Sequence, residues 1–298
     1  MINDMFKILK IYTFIIWQVV AIATEDDFNV EKVKNTYLEL KDKRFLLLPH
    51  KGNFLLPISY NHKARENSSR SVLLNEFPER GRYNKELETE FQISFSINIF
   101  SDILGSDYDF YLGYTHHSWW QVYNKNWSRP FRETNYNPEF FFRKVYSVKG
   151  DSNSIQLVLN DMGYQHQSNG QIQELSRSWD RIYIRQIYSW KRLLFTLNLW
   201  HRMSDDIDDN PDIQRYLGYG ELSIDYRFKK AMAGIRIIPG DRYAGAELSY
   251  SYPLQDNIRF FTKAFYGYGN SLIDYNNKNR RLGIGFILTD PRTLDYSK

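Results

Sequence analysis

The stretch Phe91-Gln92-Ile93-Ser94-Phe95-Ser96-Ile97-Asn98-Ile99 has an apolar residue at every odd position and a polar residue at every even one. Successive side chains of a β-strand point to opposite faces, so this period of two predicts a strand with one apolar and one polar face. The same alternation recurs in segments 193–199, 221–228, 246–252 and 281–288, and turn-forming residues lie between them. The chain is therefore predicted to be all-β.

The N-terminus and the composition favour a membrane barrel over a soluble sandwich. Lys7 and Lys10 precede an apolar run, 11–23, that ends in Ala21-Ile22-Ala23. A charged region, a short apolar region and an A-x-A site predict a signal peptide over residues 1–23. Aromatic residues make up 17% of the 298 residues, and aromatic girdles mark both interfaces of membrane barrels.

Ten to twelve strands of membrane-spanning length fit between residues 45 and 290, and the even strand numbers of such barrels favour twelve. We predict a transmembrane antiparallel β-barrel of the outer membrane over residues 46–290. A periplasmic segment, 24–45, would precede it, and an extension, 291–298, would follow. The chain has no cysteine, which excludes disulfides and thiol chemistry, and its net charge of +4 gives no indication of nucleic-acid binding.

A candidate site lies in the stretch Gly163-Tyr164-Gln165-His166-Gln167-Ser168-Asn169-Gly170 and at Asp180. His166 and Ser168 share one strand face because they are two residues apart. Positions 166 and 180 are equidistant from 173, so a hairpin centred there would place His166 opposite Asp180. The parity of the flanking apolar residues puts all three on the lipid-facing side.

These residues predict a hydrolase triad, in which Ser168 is the nucleophile, His166 the general base and Asp180 the group that orients His166. The alternative interpretation is that His166 is an interfacial residue and Ser168 a turn residue. Two other functions stay open on the residues alone: an outer-membrane barrel protease that uses Asp and His around a water, and a non-enzymatic pore or adhesin.

Longer motifs surround these residues. They include Ser118-Trp119-Trp120-Gln121, Pro130-Phe131-Arg132-Glu133-Thr134-Asn135-Tyr136, Ser176-Arg177-Ser178-Trp179 and Asp208-Asp209-Asn210-Pro211-Asp212-Ile213. Together they resemble the outer membrane phospholipase A family of Gram-negative bacteria over roughly residues 45–290. The resemblance implies a twelve-stranded barrel that hydrolyses acyl esters of phospholipids and lysophospholipids in the outer membrane, with Ca²⁺ as cofactor and a homodimer as the active form.

The resemblance also implies roles for individual residues. Ser168 and His166 match the nucleophile and base of the family, whereas Asp180 stands where the family usually has Asn. The Gly170 amide matches the oxyanion donor. The calcium ligands implied are the Ser176 hydroxyl and Gln171 carbonyl of one subunit and Ser128 of the other. Asp209 matches one Asp of a weaker calcium site, but Gln173 replaces the second. The dimer face implied is an apolar strip of Ile93, Phe95 and Leu288, with His116 in place of a buried Gln.

Other residues of these motifs have structural interpretations. Trp119, Trp120 and Trp179 are predicted to be packing or interfacial aromatics. Arg132, Glu133, Asn135 and Tyr136 are predicted to form a polar network inside the barrel. The acidic run from Asp205 to Asp212 is interpreted as a solvated loop.

Overall fold

The structure is a computed structural model that describes residues 46–62, 84–126, 129–146, 154–204, 208–228, 230–255 and 258–289. The predicted signal peptide, the segment 24–45 and the extension 291–298 lie outside these residues. Within the described ranges, no helix combines the length and the apolar character needed to cross a bilayer.

Within the described residues, thirteen strands form a single antiparallel sheet. They are β1 (Leu48–Pro49), β2 (Asn53–Asn61), β3 (Leu87–Phe100), β4 (Asp109–Trp120), β5 (Phe131–Val145), β6 (Gln156–Ser168), β7 (Ser178–Trp190), β8 (Leu193–Arg202), β9 (Gly220–Phe228), β10 (Ala231–Pro239), β11 (Ala244–Gln255), β12 (Ile258–Gly267) and β13 (Asn279–Thr289). From β2 onward each strand pairs with the next, and β13 pairs with β2. The twelve strands β2 to β13 therefore close an up-and-down barrel, as the sequence predicts.

The alternation in β3 separates lipid-facing from lumenal side chains. Ser94 and Ser96 are buried inside the barrel, whereas Ile93 is 52% exposed on its outer surface. In β6, Asp161 is fully buried while its neighbour Met162 is exposed. Apolar side chains outside and polar side chains inside are the arrangement of a membrane barrel rather than of a soluble sandwich, so this prediction is confirmed.

Buried ion pairs join the strands across the lumen. Glu139 accepts hydrogen bonds from His50 Nε2 at 2.8 Å, Lys51 Nζ at 2.9 Å and Tyr183 Oη at 2.7 Å. Glu88 lies 2.9 Å from Arg132 Nε and 2.7 Å from an Arg281 nitrogen. Charges removed from water need partners of opposite sign, and these contacts supply them between strands that are distant in sequence.

The connections at the two ends of the barrel differ in length. One end carries mostly two-residue connections, 191–192, 229–230 and 256–257, together with the connections 101–108 and 146–155. The other end carries longer loops, including 169–177 between β6 and β7, 203–219 between β8 and β9, and 268–278 between β12 and β13. Loop 203–219 contains the short helix α1 (Gln214–Leu217). The candidate site lies at the end with the longer loops.

Candidate active site

The β6–β7 hairpin pairs His166 with Asp180 and Ser168 with Ser178. This is the register that the sequence predicts from the centre at residue 173. The same register pairs Met162 with Ile184 and Tyr164 with Ile182, and Met162 and Ile182 are exposed on the outside of the barrel. The three residues of the predicted triad therefore lie on the lipid-facing surface.

The imidazole of His166 contacts the carboxylate of Asp180. His166 Nδ1 lies 2.9 Å from Asp180 Oδ1, and the two side chains are 34% and 25% exposed. A carboxylate only accepts hydrogen bonds, so Nδ1 carries the proton and Nε2 is left as the basic nitrogen. This is the histidine tautomer that a general base needs toward a serine hydroxyl.

Ser168 is the last residue of β6, and its hydroxyl makes no hydrogen bond to His166 among the contacts of the described residues. The structure thus forms the His166–Asp180 half of the predicted triad and places Ser168 beside it on the same face. Catalytic hydrogen bonds of this kind tighten when substrate is bound.

Loop 169–177 is held by Asn169, which is 1% exposed. Its Nδ2 donates to the Leu175 carbonyl at 2.8 Å, and its Oδ1 accepts from the Arg177 amide at 3.0 Å and the Gln171 amide at 3.3 Å. The sequence marks Asn169-Gly170 only as a turn. Because one amide side chain bridges both sides of the loop, Asn169 fixes the backbone that carries Gly170 and Ser176.

Gly170 has a left-handed backbone with φ of 62°. A Cβ at this position would lie 3.0 Å from Cε2 of Tyr136, on the neighbouring strand β5. The turn and the close ring together require glycine here. The backbone of Gly170 follows the end of β6 directly, two residues after Ser168.

Two of the residues implied as calcium ligands lie in this loop. Ser176 Oγ donates to Asp209 Oδ2 at 2.5 Å, which connects the site loop to loop 203–219. The Gln171 carbonyl accepts no hydrogen bond within the described residues. Gln173 is exposed and has φ of 53°. Ser128 lies outside the described residues. Within the described residues there is no cluster of three or more acidic or histidine side chains that could hold a metal ion.

The interpretation of 205–212 as a solvated loop is wrong for Asn210, which is fully buried. Its Oδ1 accepts from the backbone amide of Ser178 at 3.1 Å, at the first residue of β7. Asn210 and Asp209 together connect loop 203–219 to the hairpin that carries the site.

The predicted network around Arg132 is confirmed in part. Glu133 and Asn135 are buried, and Arg132 contacts Glu88 and Asp274 inside the barrel. The prediction that Tyr136 belongs to this network is wrong, because Tyr136 is 37% exposed on the outer surface of the barrel. It has the opposite parity to Glu133 and Asn135, and it pairs with Ser168.

Two of the residues implied for dimer contact, Ile93 and His116, share a lateral row with the site. Ile93 pairs with His116, His116 with Tyr136, and Tyr136 with Ser168. His116 Nε2 lies 2.8 Å from Ser118 Oγ, and its ring stacks on Phe91 at 5.9 Å. Ile93 and Leu288 are 52% and 49% exposed, and Phe95 is half-buried. Two strand spacings, roughly 10 Å, separate His116 from Ser168.

Trp179 lies beneath the site on the inner face of the hairpin, whereas Trp119 belongs to β4, two strands away. Trp179 and Trp119 are buried, as predicted. Trp179 Nε1 donates to Gln167 Oε1 at 3.0 Å, and the Arg181 guanidinium lies 3.9 Å from the centre of the Trp179 ring. These contacts pack the inner face of the hairpin and so stabilise the two strands whose outer face carries the site.

A closed membrane barrel with a His–Asp pair and an adjacent serine on its lipid-facing surface belongs to the class of integral-membrane ester hydrolases. A family model described as Phospholipase A1 matches residues 30–288. The chain therefore belongs to the phospholipase A1 family, and it is an outer-membrane phospholipase.

Relatives and solved structures agree on this assignment. Phospholipase A1 of Klebsiella pneumoniae is 36% identical over 259 residues, covering 85% of this chain and 86% of that protein. Phospholipase A1 of Proteus vulgaris is 37% identical over 262 residues, covering 85% of each. Outer membrane phospholipase A from Escherichia coli superposes with a TM-score of 0.79 at 32% identity, over 88% of this chain and 99% of that one. The calcium-bound dimer of the Salmonella typhi enzyme gives 0.78 at 31% identity, over 89% and 100%.

Proposed function

We propose that this phospholipase is a calcium-dependent serine hydrolase that acts as a homodimer, with Ser168 as nucleophile, His166 as base and Asp180 as the residue that orients His166. Its substrates would be phospholipids, cleaved at either acyl position, and lysophospholipids. The observation that carries the proposal is the 2.9 Å contact between His166 and Asp180 on the lipid-facing surface, beside Ser168.

The residues of the hairpin account for the chemistry of acyl transfer. Ser168 Oγ attacks the ester carbonyl while His166 Nε2 accepts its proton, and the imidazolium then donates that proton to the leaving alcohol. Asp180 stabilises the imidazolium through Nδ1. The backbone amide of Gly170 is proposed to donate to the oxyanion. A water activated by His166 would release the fatty acid in the second half of the reaction.

Oxygen donors in loop 169–177 fit a calcium ion. The Ser176 hydroxyl and the Gln171 carbonyl are hard ligands of the kind that Ca²⁺ prefers, and Ser128 of a second subunit is proposed to complete them. The 2.5 Å contact between Ser176 and Asp209 places a carboxylate of another loop beside this set. When bound, the ion would supply positive charge near the developing oxyanion.

The loop asymmetry supports an orientation with the site at the cell surface. Outer-membrane barrels have short periplasmic turns and longer extracellular loops, and the site lies at the end with the longer loops. In this orientation Ser168 would meet phospholipid that appears in the outer leaflet. His116, which belongs to the proposed dimer face, lies in the same row of residues as Ser168. An acyl chain bound between the two subunits would therefore lie close to the nucleophile.

Covalent labelling tests the proposed nucleophile. A long-chain alkyl fluorophosphonate added to the native protein in micelles with calcium should give a single adduct by intact mass, on the peptide that contains Ser168. A chelator should slow the labelling, and His166→Ala should abolish it. Labelling that persists in Ser168→Ala would contradict the proposal. Absence of labelling in the native protein would also contradict it, because that is the result expected for a barrel protease with an activated water or for a non-enzymatic pore.

His116 makes the proposed dimer sensitive to pH. A histidine gains its charge as pH falls from 8 to 5, and at the position of the family's buried Gln two imidazolium rings would repel each other across the two-fold axis. We expect the yield of chemically cross-linked dimer to fall over this range in the native protein and to stay level in His116→Gln. A level profile in both proteins would contradict the prediction that His116 makes the dimer sensitive to pH.

A further inference from the structure

Tyr164 contacts the same carboxylate oxygen as His166. Its hydroxyl donates to Asp180 Oδ1 at 2.5 Å, while His166 Nδ1 lies 2.9 Å from that atom. Tyr164 pairs with Ile182 across β6 and β7, so its contact with Asp180 is a diagonal one. Diagonal neighbours on adjacent strands are within reach of long aromatic side chains.

The ring of Tyr164 packs on an aromatic ring of the neighbouring strand. It stacks on Phe140 of β5 with ring centres 5.2 Å apart and planes inclined by 24°, and Ile182 of β7 lies opposite it in register. A ring packed in this way loses little further freedom when its hydroxyl forms a hydrogen bond. The hydroxyl is therefore preorganised toward Asp180.

An aspartate at this position brings a charge to a surface that faces lipid. A charged side chain there costs free energy, and the cost is smaller near the interface than at mid-depth. Hydrogen bonds to an ionised acceptor are about twice as strong as neutral ones. Two donors on Oδ1 thus offset part of the cost of the charge and fix the plane of the carboxylate.

We propose that Tyr164 is a positioning residue of the triad, which holds the Asp180 carboxylate in the orientation that keeps His166 Nε2 directed to Ser168. This inference rests on the proposed function of Ser168, His166 and Asp180. The contact of Tyr164 that bears on the triad is the one with Asp180. Tyr164 acts through Asp180, so its effect appears in the chemical step and depends on the carboxylate.

The test is Tyr164→Phe, which removes the hydroxyl and keeps the ring on Phe140. We expect kcat for phospholipid hydrolysis to fall about tenfold, as for loss of one hydrogen bond to a charged group, with KM unchanged. The rate of fluorophosphonate labelling at Ser168 should fall by the same factor. Tyr188→Phe is the matched control, because it removes a hydroxyl that donates to Gln186 Oε1 at 2.8 Å on the same strand as Asp180; its kcat should stay native.

A double-mutant cycle with Asp180→Ala separates positioning from packing. In that background Tyr164→Phe should have no further effect on kcat, because the carboxylate through which it acts is gone. An equal tenfold loss in both backgrounds, an unchanged kcat in the single variant, or a change confined to KM would each overturn the role of Tyr164. Ser168→Ala is measured in the same assay. If Ser168→Ala retains activity, the proposed triad is wrong. If Ser168→Ala is inactive and Tyr164→Phe is fully active, only the inference about Tyr164 is wrong.

Discussion

Ser168→Ala should lower calcium-supported phospholipid hydrolysis in detergent micelles by at least about 10⁴-fold, the scale of loss when the nucleophile of a triad is removed. The reason is geometric. Ser168 ends β6 on the face that also carries His166 and Asp180, so the proposed mechanism depends on its hydroxyl. The native protein and the variant are compared as fatty acid released per minute, with calcium and with a chelator, at equal amounts of folded barrel.

Ser178→Ala is the control for this comparison. Ser178 lies directly opposite Ser168 on β7, so the two substitutions remove the same atom from adjacent places on the same surface. We expect Ser178→Ala to stay within about twofold of the native rate, as for a surface substitution that breaks no special contact. Substantial activity in Ser168→Ala would mean that another group is the nucleophile, and equal losses in both variants would mean that the surface, not the hydroxyl, matters.

The residues that sequence reasoning places correctly are those governed by strand periodicity. The alternation in 91–99 predicts that Ser94 and Ser96 face the lumen, and both are buried. Counting from residue 173 predicts that His166 lies opposite Asp180, and the register confirms it. Both inferences work because side chains of a strand repeat every two residues and a hairpin pairs residues symmetrically about its centre.

The errors and omissions arise where that periodicity ends. β4 and β5 pair Trp119 with Glu133 but Trp120 with Phe131, so a bulge at Arg132 shifts its parity. Arg132 therefore reaches the lumen, whereas Tyr136 keeps the regular alternation with Glu133 and Asn135 and faces outward. A bulge inserts one residue and cannot be located from alternation alone.

Contacts made by loops, and diagonal contacts between strands, are likewise not predicted by the spacing of residues in the sequence. Asn169 bonds to residues on both sides of its own loop, and Asn210 accepts a hydrogen bond from the first residue of β7. Tyr164 reaches Asp180 diagonally, through the direction of its side chain rather than through the register. These contacts depend on backbone turns and rotamers, which one sequence does not specify by spacing.

The largest stability effect is expected at Asp161, a fully buried carboxylate on the lumenal face of β6, five residues before His166. It lies 2.7 Å from Nε of Arg143 on β5 and 3.0 Å from Nε of Arg185 on β7. One aspartate of β6 thus joins the three consecutive strands that carry Tyr136, the site residues of β6 and Asp180. Asp161→Asn would leave two buried guanidinium groups without their shared counter-charge.

We expect Asp161→Asn to lower the free energy of unfolding by about 3–5 kcal/mol, the usual loss when one partner of a buried ion pair is removed. Urea titration in lipid vesicles, followed by tryptophan fluorescence, measures it. Asp107→Asn is the control, because its 79% exposed carboxylate also lies near a cation, at 3.1 Å from Lys144 Nζ; exposed pairs contribute at most about 1 kcal/mol. If both variants unfold at the same urea concentration, the lumenal charges do not stabilise the barrel. If only Asp161→Asn is destabilised, its lipase activity in the folded state should also fall, since the strands that hold His166 opposite Asp180 are joined through this carboxylate.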